Sequence, residues 1–252
     1  MSAERTSSIP GKARPSCALL RILLLLSISG PLWAATPVRV AVAANFKPTL
    51  EQINRQFESA TGYAVSLSSG STGVLYSQIL HGAPYDLFFA ADAGSATKLK
   101  ASPRGAGLEA PFCYARGRLV LAGGNGQFSQ LANPGLSVAI ANPATAPYGA
   151  AAMQVLAREE FSAGASRKLV RGANSLQAYQ FWYSGSVALG LLPRALVPAG
   201  ALIPQAWHPP LEQYALVLTP TASNLALAAY LNWIRSDTVR ALITAAGYES
   251  CL

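Results

Sequence analysis

The chain has 252 residues, 51% of them apolar and 12% charged, with a formal net charge of +8 at neutral pH. That length and apolar content can bury a substantial core in one large or two modest domains, and they exclude a disordered or repeat protein. The basic residues are scattered, with Arg167, Lys168 and Arg171 the densest group, so nucleic acid binding has little support.

Lys12, Arg14 and Arg21 precede a short apolar run from Ile22 to Ile28, and small residues lead out to Ala34 and Ala35. This order predicts a secretory signal peptide over 1–35, because the run is too short to span a bilayer. Cys17 stands before the hydrophobic core and outside the approach expected of a lipid-anchored cysteine. Without the leader, 15 basic residues face 10 acidic ones. Cys113 and Cys251 remain, and in an oxidising compartment they either close a disulfide or stay as two idle thiols. His81 and His208, with no Cys-x-x-Cys spacing, argue against a structural zinc site.

Val38 to Ala44 is a run of small and β-branched residues suited to a buried parallel strand. Asn45 follows, then a helix opened by Phe46, Lys47 and Pro48, with Leu50, Ile53 and Phe57 on one face and Gly62 past its end. Asn45 reads either as an N-cap or as a residue facing a ligand. Tyr63 to Leu67 is the next strand. It runs into Ser68-Ser69-Gly70-Ser71-Thr72-Gly73, a polar junction before a helix carrying Val74, Leu75 and Ile79. Such a junction offers hydroxyls and helix-opening amides to an oxyanion without any charged side chain. After a turn at Gly82 to Asp86, Leu87 to Asp92 forms a third strand, with Asp86 and Asp92 read as turn and cap residues.

Cys113 to Leu121 is a strand leaving this first unit, followed by a solvated loop whose Gly-Gly-Asn-Gly lacks the Lys and Ser/Thr of a phosphate loop. Leu136 to Ala141 is a further strand, and after Asn142-Pro143 a helix begins with Pro147 and Tyr148 and runs through Met153 and Leu156. Lys168 to Val170 precedes a helix with Ser175 and Gln177 in its first turn. Ser186 to Leu192 is another strand, and Tyr214 to Leu218 carries the chain back. Ser223 or Asn224 then caps a helix with Leu227, Leu231 and Ile234, and Ser236 caps one with Val239, Leu242 and Ile243. These two helices are expected to cover the first sheet. Four helices thus open on polar, uncharged residues, and the strand–helix alternation places ligand at the carboxyl ends of parallel strands.

The ordered set Ala43-Ala44-Asn45-Phe46, Gly70-Ser71-Thr72-Gly73, Gly82-Ala83-Pro84-Tyr85-Asp86-Leu87-Phe88, Ala90-Ala91-Asp92, Ile140-Ala141-Asn142-Pro143 with Pro147-Tyr148-Gly149, and Leu189-Gly190 resembles the periplasmic molybdate-binding proteins of ABC transporters, from about Val38 to Gly247. The resemblance implies an α/β, two-lobed periplasmic binding protein of the type II kind, each lobe a mainly parallel sheet flanked by helices. It divides the mature chain into a first lobe over 36–113, a second over 114–218 and a return to the first over 219–252. It also implies that the lobes close on an oxyanion at Asn45 with Ala44 beside it, Thr72 with Ser71 beside it, Tyr148, and the backbone amide of Ser175.

Two departures stand out. Pro193 occupies a position where many members have Tyr, so that hydroxyl is missing, and Ser175 stands where many have Val. The implied ligand is molybdate or tungstate, with no cofactor, no metal held directly by side chains, and delivery by a periplasmic monomer to an ABC membrane permease. A fully ionised tetrahedral dianion offers only acceptors, which suits a pocket of donors; hydrogen phosphate brings a proton that needs an acceptor. The rival readings are a receptor for sulfate, phosphate or a carboxylate, and a secreted serine hydrolase. The latter lacks a Gly-x-Ser-x-Gly and a recognisable triad.

Overall fold

The computed structural model describes residues 36–221 and 224–251, together with 2, 3, 6 and 11. Apart from those four positions, the leader read over 1–35 lies outside the described residues, as does the Ser223 alternative for a cap. Thr36–Leu252 form a compact unit of their own.

The first lobe opens with β1 (Val38–Ala43), α1 (Lys47–Thr61), β2 (Val65–Gly70), α2 (Thr72–Leu80), β3 (Leu87–Ala90), α3 (Ala93–Ala101) and β4 (Phe112–Gly117). The second holds β5 (Leu119–Gly123), β6 (Val138–Ala141), α4 (Pro147–Leu156), β7 (Leu169–Gly172), α5 (Ser175–Tyr183), β8 (Leu189–Pro193) and β9 (Ala201–Leu202). The chain returns through β10 (Leu211–Val217) and ends with α6 (Leu225–Ile234) and α7 (Asp237–Ala245).

Both lobes use one plan. The first sheet runs β2-β1-β3-β10-β4 and the second β7-β6-β8-β5-β9. In each, the first three strands are parallel, as expected of consecutive strand–helix units. The strand that enters from the other lobe, β10 or β5, lies antiparallel to both of its neighbours. Strand exchange therefore adds an antiparallel half to the expected parallel core.

The exchange also moves the lobe boundaries. β4 stays in the first sheet through Gly117 and β5 begins the second at Leu119, so the crossing falls at Arg118 rather than after Cys113. The single long strand read over 113–121 is two strands in different sheets. The return falls between β9 and β10, so 211–217 belongs to the first sheet and not to the second lobe as the 114–218 division had it.

Alternation along the strands builds the core. In the first sheet Val38, Val40 and Val42 meet Leu50, Ile53 and Phe57 of α1 and Leu227, Leu231 and Ile243 of the last two helices, which cover this sheet as expected. Ala41, Phe88 and Ala90 face the other way, onto Leu75, Ile79 and Leu99. In the second, Val138, Ile140 and Leu191 pack on Ala152 and Val155 of α4, while Val120 and Leu192 pack with Ala178 of α5.

Local chemistry sets the ends. Gly62, at φ 74°, closes α1 by donating its N–H to the Glu58 carbonyl, a left-handed position that favours glycine. Asn224 and Ser236 cap α6 and α7 through their side chains. Asp92 caps α3, accepting from the Ser95 N–H. Asp86 does more than shape a turn: it is buried and accepts from the Arg39 guanidinium, the Arg39 backbone N–H and the Thr219 hydroxyl. Cys113 and Cys251 are joined in a disulfide with a Cα–Cα distance of 6.0 Å, which decides between the two alternatives left open by the sequence.

Candidate functional site

Four helices begin where a parallel strand ends: α1 after β1 and α2 after β2 in one lobe, α4 after β6 and α5 after β7 in the other. Their first turns meet around one crevice. Ala43, Ala44, Asn45, Gly70, Ser71, Thr72 and Ala91 line it from the first lobe, and Ala146, Pro147, Tyr148, Asn174 and Ser175 from the second. None of these side chains is charged. The crevice is small, about 180 Å³. Only a compact guest fits. The macrodipoles of four helices converge on it with their positive ends, which favours an anion.

Each sequence-predicted residue lies on this lining, and the hydrogen bonds say what each can offer. The Ser71 hydroxyl is buried and has no partner among the described residues. It opens α2 without capping it. The Thr72 oxygen accepts from the Ala91 N–H at 3.0 Å, so its own hydrogen is uncommitted. The Tyr148 oxygen accepts from the Gln213 side-chain N–H at 3.2 Å and is in the same position. Burial pushes the Tyr148 phenol well above its ordinary range, with Tyr248 adding to the shift and the Gln213 bond opposing it, so the group stays a neutral donor. At α5 the capping role belongs to Asn174, whose side chain accepts from the N–H groups of Leu176 and Gln177. That leaves the Ser175 N–H with no protein acceptor among the described residues.

Asn45 lies on the lining but is not the N-cap of α1, the first of its two readings. Phe46, not Asn45, occupies the N-cap of α1, with no side-chain cap bond. The Asn45 side-chain nitrogen donates to Gln213 Oε1 at 2.8 Å and to the Tyr248 hydroxyl at 3.3 Å. The donor Asn45 keeps for a guest is its backbone N–H, which has no protein acceptor among the described residues. Ala44 gives its N–H to the Gly70 carbonyl at 2.9 Å, so it contributes packing rather than a free amide.

Sequence reasoning missed the residues behind the lining. Gln213 is fully buried in β10 and takes the Asn45 amide and the Tyr114 hydroxyl, each at 2.8 Å, on its side-chain oxygen. Tyr248 donates to the Asn45 carbonyl at 2.8 Å. The signal was a glutamine within the otherwise apolar alternation of Leu211–Val217, since a buried amide needs several partners.

The lobes meet directly beside the crevice. The Gly73 N–H in the first turn of α2 donates to the Thr145 carbonyl ahead of α4 at 2.8 Å. A Cβ on Gly73 would lie 3.2 Å from the Thr145 backbone, so the absent side chain permits the approach. Neither histidine lines the crevice: His81 contacts the Ser77 carbonyl at the end of α2, and His208 contacts the Pro209 carbonyl. Among the described residues no cluster of three or more His, Cys, Asp or Glu side chains is placed to hold a metal ion.

Residues 38–249 match the family model described as bacterial extracellular solute-binding protein. The chain is 37% identical over 228 residues to the molybdate-binding protein ModA of Azotobacter vinelandii, covering 85% of this chain and 90% of that one. It is 32% identical over 255 residues to the protein of the same name from Rhodobacter capsulatus, covering 96% and 98%. The solved Azotobacter vinelandii periplasmic molybdate-binding protein superposes with a TM-score of 0.74 at 34% identity, covering 85% of this chain and all of that one. The sulfate-binding protein SubI of Mycobacterium tuberculosis shares the fold alone, at 15% identity and a TM-score of 0.60. By sequence over nearly its whole length and by two-lobed fold, this chain belongs to the bacterial extracellular solute-binding proteins, in the family of the molybdate-binding members.

Proposed function

We propose that this protein captures molybdate, and tungstate with it, in the crevice between its lobes and delivers the ion to the membrane permease of an ABC transporter. It works as an exported periplasmic monomer, without a cofactor, and Asn45, Ser71, Thr72, Tyr148 and Ser175 supply the donors. The observation that carries this reading is that three hydroxyls on the lining have their hydrogens uncommitted. Ser71 has no partner among the described residues, and Thr72 and Tyr148 each accept from the protein, so all three can point a hydrogen at a guest.

A dianion with acceptors on every face satisfies such donors, and each bond to a charged group contributes about 1.5–3 kcal/mol. Hydrogen phosphate would bury its own proton against them. Sulfate has the same polarity and is smaller, so it must be excluded by size. The identity shared with molybdate-binding relatives supports the same choice. A hydrolytic role finds no support, since no histidine stands beside Ser71.

A thermal-shift and calorimetry panel of molybdate, tungstate, sulfate, phosphate and vanadate tests the reading. Molybdate and tungstate should raise the melting temperature, and sulfate and phosphate should leave it unchanged. A preference for sulfate or phosphate, or turnover of an ester that is lost in Ser71→Ala, would overturn it.

A further inference from the structure

We infer that Gln213, a residue outside the crevice lining, is a positioning residue that reaches across from the first lobe and fixes the Tyr148 hydroxyl as a donor to the bound oxyanion. The inference rests on the proposed function above.

The orientation of the Gln213 amide is forced by its neighbours. Tyr248 gives its hydrogen to the Asn45 carbonyl and accepts from Asn45 Nδ2, which orients that amide. Asn45 Nδ2 then donates to Gln213 Oε1 at 2.8 Å, so the Gln213 nitrogen faces Tyr148, while the Tyr114 hydroxyl is placed to donate either to Gln213 Oε1 at 2.8 Å or to the Ala90 carbonyl at 3.2 Å. A hydroxyl oxygen that accepts from an amide N–H turns its own hydrogen elsewhere, and for Tyr148 the remaining direction is the crevice it lines. The result is a relay from Gln213 N–H to Tyr148 O–H to the anion, in which each bond polarises the next.

The relay also spans the hinge. Gln213 sits on β10 of the first sheet and Tyr148 on α4 of the second lobe, so their contact crosses from one lobe to the other. Two backbone features make room for it. The pairing of β10 with β4 shifts register between Gln213 and Tyr214, where bulges commonly re-aim a side chain. Gly117, opposite Leu211 in that pairing, leaves open the space that Gln213 and Tyr148 share.

Gln213→Glu separates this role from packing, because a carboxylate has the same shape and only accepts. Ionised, it would draw the Tyr148 hydrogen toward itself and present an oxygen lone pair and a negative charge to the anion. Protonated, it can donate to Tyr148 as the amide does. The titratable groups facing the position are the phenols of Tyr114, Tyr148 and Tyr248, all held neutral by burial, with the Asp92 carboxylate acting on Tyr114 from the start of α3.

Molybdate affinity is to be measured by calorimetry in wild type, Gln213→Glu, Gln213→Leu, Tyr148→Phe and Gln213→Leu with Tyr148→Phe, between about pH 5.5 and 8. Gln213→Glu should bind about 100-fold more weakly at the upper end and recover affinity as the pH falls, while wild type stays level. Tyr148→Phe should cost about tenfold in wild type and little in the Gln213→Leu background. Wild-type affinity in Gln213→Leu, a Gln213→Glu protein weakened equally at every pH down to about 5.5, or additive losses in the cycle would overturn the inference and leave the proposed function standing. Wild-type affinity throughout in Gln213→Glu would mean that burial keeps its carboxyl protonated and donating. In that case, or should Gln213→Glu fail to fold, the cycle through Gln213→Leu decides alone. A wild-type protein that binds none of the oxyanions would overturn the proposed function first.

Discussion

A Cβ placed on Gly117 would lie 1.9 Å from the Tyr148 hydroxyl oxygen and 2.7 Å from the Gln213 side-chain nitrogen. One missing methyl at the end of β4 is therefore what lets a tyrosine from the second lobe dock on a glutamine of the first. Gly117→Ala should displace both groups. The expected result is an oxyanion affinity weaker by about 10- to 100-fold and, from overpacking, about 1–3 kcal/mol of lost stability. Calorimetry and a urea melt read the two effects separately. In a Tyr148→Phe background the same change should cost little further affinity, because the displaced donor is already gone.

Ser71 and Thr72 are adjacent hydroxyls with opposite consequences for the unliganded fold. Ser71 is buried without a partner among the described residues, and leaving a buried donor unsatisfied costs about 1–3 kcal/mol. Ser71→Ala should therefore leave the empty protein as stable as wild type or slightly more so, while weakening molybdate about tenfold. Thr72 accepts the Ala91 N–H, so Thr72→Ala should weaken binding and also destabilise the empty protein by orphaning that amide. Thr72→Ser should keep both. Melting temperatures with and without molybdate separate the pair; a destabilised empty Ser71→Ala protein would mean that its hydroxyl has a structural partner.

The elements that set this geometry were legible in the sequence to different degrees, for physical reasons. Strands such as Leu87–Ala90 and Val138–Ala141 are buried on both faces and read as unbroken apolar runs, and a helix start announces itself by Ser, Thr or Asn after such a run. Hence the polar helix starts were found from one-dimensional pattern, while the choice of contact residues among them came from the family resemblance. The roles of their atoms came from neither, because these depend on partners far along the chain: Asn45 is 168 residues from Gln213 and 203 from Tyr248. The change of sheet at Arg118 was hidden for a related reason, since Phe112 to Gly123 is extended throughout, with one residue between its two strands.

Asp86 and Arg39 set a limit on acid stability. Burial alone would raise the Asp86 carboxyl, but the Arg39 guanidinium and backbone N–H and the Thr219 hydroxyl outweigh it and hold the group below its ordinary value. A depressed carboxyl stabilises the fold above its unfolded value, and that contribution is lost as the pH falls through the folded one. Arg39 is 43% exposed at its side chain, so solvent screens the pair and its share of stability is modest. Asp86→Asn should lower the melting temperature at neutral pH and flatten its decline in acid, relative to wild type. Curves that stay parallel down to about pH 2 would show that another carboxylate sets the acid limb.

The disulfide between Cys113 and Cys251 should act on the site as well as on the fold. It closes a loop across 138 residues, a length for which chain entropy sets a ceiling of about 5 kcal/mol. Its C-terminal end also anchors the segment carrying Tyr248, three residues before Cys251, whose hydroxyl donates to the Asn45 carbonyl and accepts from the Asn45 amide. Glu249 adds a two-way backbone bridge to Arg116 in β4. Releasing the disulfide would leave the tail held by its noncovalent contacts, among them that short bridge, the Arg118–Glu249 ion pair and the Tyr248 ring packing, so Asn45 should sample orientations that do not suit Gln213. The double variant Cys113→Ser with Cys251→Ser is thus expected to unfold at lower urea and to bind molybdate several-fold more weakly, with Tyr248→Phe reproducing the loss of affinity but little of the loss of stability. Were the double variant to keep wild-type affinity while losing stability, the tail would be a staple for the first lobe with no hold on the crevice.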